Sequence, residues 1–281
     1  MKKALNIRLS EVFGDREAAA ILRALEEDLE LSGIPFGSLN KEERNTLLKT
    51  SVEKVIQGIP LEYITGKACF YGHFFQVNEA VLIPRPETEE LVYYTLKKIP
   101  KREAVNILDV GTGSGCIAIT VALERPEANV YALDVSHEAL EVAKNNAKQL
   151  GATNVQFIQA DFLKDESWHI DLPKFDFLLS NPPYISKSET SVMSRSTLEK
   201  EPGLALFAPT ENVLAFYKRI AELMSVIMNE NSHLFMEINE FRSKDTKKIF
   251  EKQSNRVELI QDMQVKDRVL EVEVPVKYLL K

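Results

Sequence analysis

The stretch Ile107-Leu108-Asp109-Val110-Gly111-Thr112-Gly113-Ser114-Gly115 places an apolar run directly before three closely spaced glycines. The apolar run predicts a buried strand, and the glycines predict a tight turn that opens a helix. Glycines let backbone N–H groups approach a ligand closely, and a helix N-terminus adds partial positive charge. We therefore expect residues 111–115 to form a ligand-binding loop, whose ligand the surrounding residues help to identify.

Strand-like and helix-like segments alternate around this loop. Strands are predicted at 105–110, 129–134, 155–159, 175–180, 233–238, 257–262 and 269–274. Helices are predicted between most of them, at 114–123, 136–150, 213–228 and 242–252. This alternation indicates an α/β fold, with a mainly parallel sheet of seven strands covered by helices on both faces. The last two strands have only residues 263–267 between them, so we expect them to pair antiparallel.

The N-terminal part of the chain has a different pattern. Residues 1–70 predict a small helical bundle, in which Asn40 and Glu43 resemble a capping box at one helix start. We expect residues 1–70 to recognise the substrate, 71–83 to form an aromatic-rich β-hairpin connector, and 84–281 to form the catalytic domain. The longest irregular stretch, residues 186–210, follows the fourth strand and is a second candidate for substrate contacts.

Composition and charge exclude several classes of protein. The 281 residues are 44% hydrophobic and 27% charged, which favours a folded chain over a disordered one. No apolar run is long enough for a membrane helix, and no apolar segment follows Met1-Lys2-Lys3, so we expect a cytoplasmic protein. The net charge of −7 argues against stable nucleic-acid binding. Neither cysteine nor histidine spacing suggests a metal site, and we expect a monomer.

Two carboxylates identify the ligand of the glycine loop. Asp134 ends the next strand, where an acidic side chain can accept hydrogen bonds from ribose hydroxyls. Asp109, just before the glycines, would repel a pyrophosphate but suits a cationic group such as an ammonium. S-adenosyl-L-methionine has a nucleoside and an amino acid but no phosphate, so it fits these residues better than NAD does.

Two further segments follow strands on the same side of the predicted sheet. Asp161 can bind the adenine amine with Phe162 against the ring, or it can cap a helix before a core aromatic. Asn181-Pro182-Pro183-Tyr184 offers two fixed acceptors, the Asn181 side chain and the Pro182 carbonyl, for the two hydrogens of a planar –NH2 group. Tyr184 can cover the face of that group. These features predict methyl transfer to an amide or aromatic amine nitrogen.

The sequence resembles the HemK/PrmC family of peptide-chain release factor glutamine methyltransferases. The resemblance rests on the glycine loop, the Asn-Pro-Pro-Tyr segment and Leu82-Ile83-Pro84-Arg85-Pro86-Glu87-Thr88-Glu89, with further landmarks at 60–66, 201–206 and 237–238. It implies a Rossmann-like methyltransferase sheet, S-adenosyl-L-methionine as cofactor and the Gly-Gly-Gln glutamine of a release factor as substrate.

The resemblance also implies residue roles. Residues 111–115 would line the cofactor pocket, with Asp134 on the ribose and Phe162 near the adenine. Asn181 would touch both cofactor and substrate, and residues 181–184 would hold the glutamine amide. Arg85 can order the pocket by pairing with a carboxylate. Two alternatives stay open: methylation of a DNA or RNA base amine at the same acceptors, and a non-catalytic cofactor-binding scaffold.

Overall fold

The N-terminal segment is helical, as predicted. The computed structural model of the protein describes residues 1–31, 39–186, 195–208, 212–254 and 256–276. The first helices are α1 (Lys2–Phe13), α2 (Asp15–Leu31), α3 (Lys41–Ile56) and α4 (Leu61–Thr65). They share an apolar core that includes Leu5, Leu9, Leu25 and Val52. The capping box before α3 is confirmed, because Asn40 Oδ1 accepts from Glu43 N at 3.0 Å and Asn40 N donates to Glu43 Oε2 at 2.8 Å.

The β-hairpin lies earlier in the chain than predicted. Its strands are β1 (Lys67–Phe70) and β2 (His73–Gln76), so the range 71–83 was wrong and the first strand falls within the segment assigned to the helical bundle. The turn consists of Tyr71 and Gly72, both at positive φ. A tyrosine is uncommon in that conformation, and for this reason the aromatic run concealed the turn. The Tyr71 N–H is held by Glu89 Oε1 at 2.8 Å.

The remaining strands form one sheet with the predicted topology. They are β3 (Asn106–Val110), β4 (Asn129–Asp134), β5 (Val155–Gln159), β6 (Phe175–Ser180), β7 (Met228–Glu237), β8 (Val257–Gln261) and β9 (Asp267–Glu273). The order is β5-β4-β3-β6-β7-β9-β8, in which the first five strands are parallel and β9 is antiparallel to both of its neighbours. The predicted α/β class, the seven strands and the antiparallel end are confirmed.

Helices cover both faces of this sheet. They are α5 (Pro86–Lys98), α6 (Cys116–Glu124), α7 (His137–Leu150), α10 (Ala215–Ile227) and α11 (Ser243–Phe250), whereas the short helices α8 (Arg195–Lys200) and α9 (Gly203–Leu206) lie in the stretch between β6 and α10. Neighbouring residues of β3 enter opposite cores, Ile107 beneath α5 and α6 and Leu108 beneath α10. Such alternation requires a strand that is apolar on both faces, as the run before the glycine loop is.

The irregular stretch 186–210 is partly helical. It contains α8 and α9, whereas residues 187–194 and 209–211 lie outside the described part of the chain. A parallel bridge between Ile185 and Phe207 brings its two ends together, with Ile185 N donating to Leu206 O at 3.2 Å and Ala208 N to Ile185 O at 3.0 Å.

The strand order places the predicted site residues at one edge of the sheet. The chain order reverses between β3 and β6, where the carboxyl ends of the parallel strands leave a crevice. The glycine loop follows β3, Asp134 ends β4 and Asn181 follows β6. The fold therefore brings these segments together although they are far apart in sequence. No helix among the described residues is long and apolar enough to cross a membrane.

Candidate active site

The glycine loop is fixed to the end of the neighbouring strand. Gly111, Gly113 and Gly115 have φ values of +76°, +56° and +82°. Gly111 N and Thr112 N both donate to Leu133 O, at 2.8 and 3.0 Å. Residues other than glycine rarely adopt positive φ, so this path from β3 into α6 requires the glycines that the sequence provides.

The three glycines of the loop differ in the space around them. A Cβ atom on Gly111 or Gly113 would meet no heavy atom within 4 Å, whereas one on Gly115 would lie 2.6 Å from Ile119 Cδ1 and 3.1 Å from Ala143 Cβ. Gly115 therefore allows α6 and α7 to pack closely, whereas Gly111 and Gly113 border open space. The sequence pattern did not distinguish these roles.

Asn146 connects this loop to the hairpin. It projects from α7 and is fully buried. Its Nδ2 donates to Ser114 O at 2.9 Å and to Gln76 O at 3.0 Å, and its Oδ1 accepts from Gln76 N at 2.7 Å. A single amide thus satisfies three backbone groups on β2 and the glycine loop.

Asp109 lies beneath the loop. Its side chain is fully buried, Oδ2 accepts from the Thr112 hydroxyl at 2.7 Å, and Oδ1 has no hydrogen-bond partner among the described residues. Burial raises the pKa of this carboxyl to about 7, opposed by the hydrogen bond from Thr112. Thr112 and Ser114 line the adjacent cavity, but Asp109 does not. The predicted contact with a cofactor ammonium stays a prediction, and the observed role is to hold Thr112.

Asp134 reaches the cavity and anchors the loop as well. Its Oδ2 accepts from Gly113 N and its Oδ1 from Ser136 N, both at 2.9 Å. Burial raises the pKa of this carboxyl, and the two backbone hydrogen bonds oppose that shift. Each carboxylate oxygen has a further lone pair, so the side chain can also accept from ligand hydroxyls.

Asp161 and Phe162 line the same cavity, and each has a local role too. Asp161 Oδ1 accepts from Leu163 N at 3.0 Å within a turn, so the alternative prediction of a helix cap was wrong because no helix begins here. Phe162 is buried and stacks on Phe216 with a centroid distance of 6.1 Å and an interplanar angle of 2°. Trp168 packs against the Phe162 ring with a centroid distance of 5.7 Å.

The Asn-Pro-Pro-Tyr segment is held by a buried carboxylate. Asn181 Nδ2 donates to Thr88 Oγ1 at 3.0 Å, and the Thr88 hydroxyl donates to Glu237 Oε2 at 2.7 Å. The Tyr184 hydroxyl donates to Glu237 Oε1 at 2.8 Å. Burial raises the pKa of Glu237, while the hydroxyls of Thr88 and Tyr184 and the charge of Arg268 lower it.

Sequence reasoning did not assign roles to Thr88, Glu237 or Arg268. One available signal was the acidic residue at the end of the apolar run Leu234-Phe235-Met236. A charge at the end of a buried strand requires a partner, but the sequence does not reveal which one.

Two cavities meet at Asn181. The larger one, of about 920 Å³, is bordered by the glycine loop, Asp134, Asp161 and Phe162, and the smaller, of about 340 Å³, by Pro182, Tyr184 and Glu237. Four residues line both cavities: Leu82, Arg85, Asn181 and Ala205. The larger volume lies within the range of small-molecule and cofactor sites.

Arg85 pairs with a carboxylate, as predicted. Its Nη2 lies 2.5 Å from Glu201 Oε1, and the Glu201 side chain is buried. Glu201 Oε2 also accepts from Ile83 N at 3.3 Å. Two glutamates follow Arg85 in the same motif: Glu87 lines the smaller cavity, and Glu89 holds the hairpin turn. Within the described residues, no group of His, Cys, Asp and Glu side chains is arranged to hold a metal ion.

Comparisons with known proteins identify the class of the fold. A family model described as "Methyltransferase domain" matches residues 101–263. The crystal structure of a methyltransferase from Pyrococcus furiosus aligns with a TM-score of 0.53 at 16% identity, over 83% of this chain and 99% of that one. The fold and the site therefore define a methyltransferase, a class whose methyl donor here is S-adenosyl-L-methionine.

Sequence relatives specify the family. A release factor glutamine methyltransferase from Flavobacterium psychrophilum is 42% identical over 76% of this chain and 75% of its own length. One from Bacillus subtilis is 38% identical over 93% of this chain and 92% of its own length. The chain belongs to the release factor glutamine methyltransferase family, which confirms the resemblance drawn from its motifs.

Proposed function

We propose that the protein transfers a methyl group from S-adenosyl-L-methionine to the side-chain amide nitrogen of the glutamine in the Gly-Gly-Gln motif of a peptide-chain release factor. One observation carries the proposal: Asn181 stands where the two cavities meet. A residue at that junction can contact a nucleoside cofactor on one side and the acceptor nitrogen on the other.

The larger cavity is the proposed cofactor site. S-adenosyl-L-methionine supplies an electrophilic methyl group when it is bound. Residues 111–115 would hold its amino-acid part, Asp134 its ribose, and Asp161 and Phe162 its adenine. The fit is supported by the open space above Gly111 and Gly113 and by the carboxylate of Asp134 on the cavity wall.

The smaller cavity is the proposed amide site. An amide nitrogen is a weak nucleophile, because its lone pair is delocalised into the carbonyl group. Asn181 Oδ1 and the Pro182 carbonyl would accept its two hydrogens, which raises the electron density on nitrogen and fixes its direction. Pro183 rigidifies this turn, and Tyr184 would cover the face of the amide. The proton released after transfer needs no dedicated base, because it is acidic enough to leave to water.

Recognition of the release factor requires surfaces outside this pocket. A pocket for one amide cannot distinguish among the many proteins that expose glutamine. We assign this selection to residues 1–70 and to the stretch 186–210, whose ends are joined beside the pocket. Deleting residues 1–56, which span α1 to α3 and leave the β1–β2 hairpin in place, should reduce methylation of intact release factor far more than it reduces cofactor binding, provided that the remaining chain folds.

The state of the protein in the cell is also part of the proposal. We expect a cytoplasmic monomer that binds no nucleic acid stably. Light scattering after size-exclusion chromatography measures the oligomeric state. Titration with labelled DNA and RNA at physiological salt measures nucleic-acid binding.

The activity is tested by incubating the protein with labelled S-adenosyl-L-methionine and, separately, release factor, DNA or RNA. Mass spectrometry should find one added methyl group on the Gly-Gly-Gln glutamine. A release factor with that glutamine replaced by glutamate should stay unlabelled. Methylation of a base, with none on the release factor, would establish the alternative activity instead.

A further inference from the structure

One buried carboxylate holds two members of the Asn-Pro-Pro-Tyr segment. Glu237 is the last residue of β7 and is 3% exposed. Its oxygens accept from the hydroxyls of Thr88 and Tyr184 at 2.7 and 2.8 Å. Arg268, like Glu237, lines the smaller cavity, but its Nε donates to Asp262 Oδ2 at 3.1 Å. Glu237 thus serves as an acceptor for two hydroxyl groups.

The direction of these hydrogen bonds determines how the Asn181 amide is turned. Thr88 has one hydroxyl proton, and it is directed to Glu237. Its oxygen can therefore only accept from Asn181, and the neighbouring amide atom must be the donor Nδ2, which lies at 3.0 Å. The acceptor Oδ1 then occupies the opposite side of the amide, away from Thr88.

We propose that Thr88 and Glu237 are positioning residues, which fix Asn181 with Oδ1 toward the acceptor nitrogen and hold the Tyr184 ring beside it. The proposal rests on the proposed function, since it assumes that the substrate presents an –NH2 group. With the amide reversed, Nδ2 would face that group and donors would oppose donors. Without a hydrogen-bond partner, an asparagine side chain has no strong preference between the two amide orientations. Glu237 sets the preference, because it fixes the direction of the Thr88 hydroxyl.

The neighbouring groups support this role. Tyr184 is largely buried and its phenol pKa is raised well above the usual value by burial and by Glu237, so it remains a donor. The Tyr217 hydroxyl donates to the backbone oxygen of Glu237 at 2.9 Å, which fixes the end of β7. Glu87 precedes Thr88 on α5 and borders the smaller cavity, whereas Thr88 borders the larger one.

Three threonine variants test the proposal. Thr88→Val removes the hydroxyl with little change of shape, and Thr88→Ser restores it. Thr95→Val is the matched control, because Thr95 is also a buried threonine of α5 but donates to Leu91 O of its own helix at 2.8 Å. Each variant is compared with the wild type in single-turnover methylation of release factor, with cofactor affinity measured separately by calorimetry.

The methylation rate constant should fall about 10- to 100-fold in Thr88→Val, because the buried Glu237 carboxylate and the half-buried Asn181 amide both lose the Thr88 hydroxyl. Cofactor affinity should change little. Thr88→Ser should recover most of the rate, and Thr95→Val should retain it. A Thr88→Val enzyme with the wild-type rate would overturn the proposal. So would a serine variant as slow as the valine variant, or a loss confined to cofactor or release-factor affinity.

A measurement on the free protein separates this proposal from the proposed function. In protein labelled with nitrogen-15 at asparagine, the Asn181 side-chain resonance is assigned by its loss in Asn181→Asp. Its amide protons should exchange slowly with water in the wild type and in Thr88→Ser, and at least about tenfold faster in Thr88→Val. Fast exchange in the wild type overturns the positioning role. Slow exchange without release-factor methylation leaves the hydrogen-bond chain intact and refutes only the substrate.

Discussion

Replacing Gly115 with alanine tests whether this glycine is needed for the packing of α6 against α7. At φ +82° a residue with a side chain costs about 1–2 kcal/mol. The added Cβ would also lie 2.6 Å from Ile119 Cδ1, and overpacking of this kind costs about 1–3 kcal/mol. The free energy of unfolding should therefore fall by about 2–5 kcal/mol.

Gly113→Ala provides the matched control. Gly113 also has a positive φ, but a Cβ there meets nothing within 4 Å, so only the conformational cost of about 1–2 kcal/mol applies. Both variants change the entropy of the unfolded chain equally, and that contribution cancels in the comparison. Gly115→Ala should be the less stable of the two by about 1–3 kcal/mol.

Urea unfolding followed by the fluorescence of Trp168, the single tryptophan, measures this difference in the catalytic core. Ile119→Val removes the Cδ1 atom nearest to the new Cβ, so Gly115→Ala should cost less in that background than in the wild type. Equal stability of Gly113→Ala and Gly115→Ala would refute the packing role, as would a cost that Ile119→Val does not reduce.

Three further predictions concern individual contacts. Asn181→Ala removes one of two proposed acceptors and should slow single-turnover methylation about 10²–10³-fold, and a rate near wild type would exclude the assigned role. Asp109, with a pKa raised to about 7, holds its proton in the folded state and loses it on unfolding. Its contribution to stability should therefore fall by up to about 4 kcal/mol as pH rises from about 4 to 7, and urea titrations of Asp109→Asn should lack that slope. Arg85→Ala leaves the buried Glu201 carboxylate without its cation and should cost about 3 kcal/mol, whereas Lys144→Ala, which breaks an exposed pair, should cost below about 0.5 kcal/mol in the same unfolding assay.

The central strands were predictable because a short apolar run is followed by turn-forming residues, Gly111 after β3 and Asn181-Pro182 after β6. Val155–Gln159 and Phe175–Ser180 lie where the sequence predicted them. The Asn-Pro-Pro-Tyr segment was recognisable for a similar local reason, because two prolines leave few backbone conformations.

Contacts between distant segments were not predictable. Thr88 and Glu237 are separated by 149 residues, and only the folded sheet shows that they meet. Local patterns also cannot tell which side of β3 a polar residue faces, so they did not reveal that Asp109 lies beneath the loop. The hairpin was misplaced because Tyr71 occupies a conformation that its residue type rarely adopts.

The side-chain amide of Asn146 links the hairpin to the glycine loop, so a displacement of one segment affects the other. Gln76 of β2 is hydrogen-bonded to Asn146, and Asn146 is hydrogen-bonded to the backbone of Ser114, so a displacement of β2 is transmitted to the glycine loop. Coupling free energies are reciprocal, so a ligand that would stiffen the glycine loop is expected to stiffen the hairpin as well, and the reverse. Asn146 is the contact through which binding at one of these two segments would affect the other.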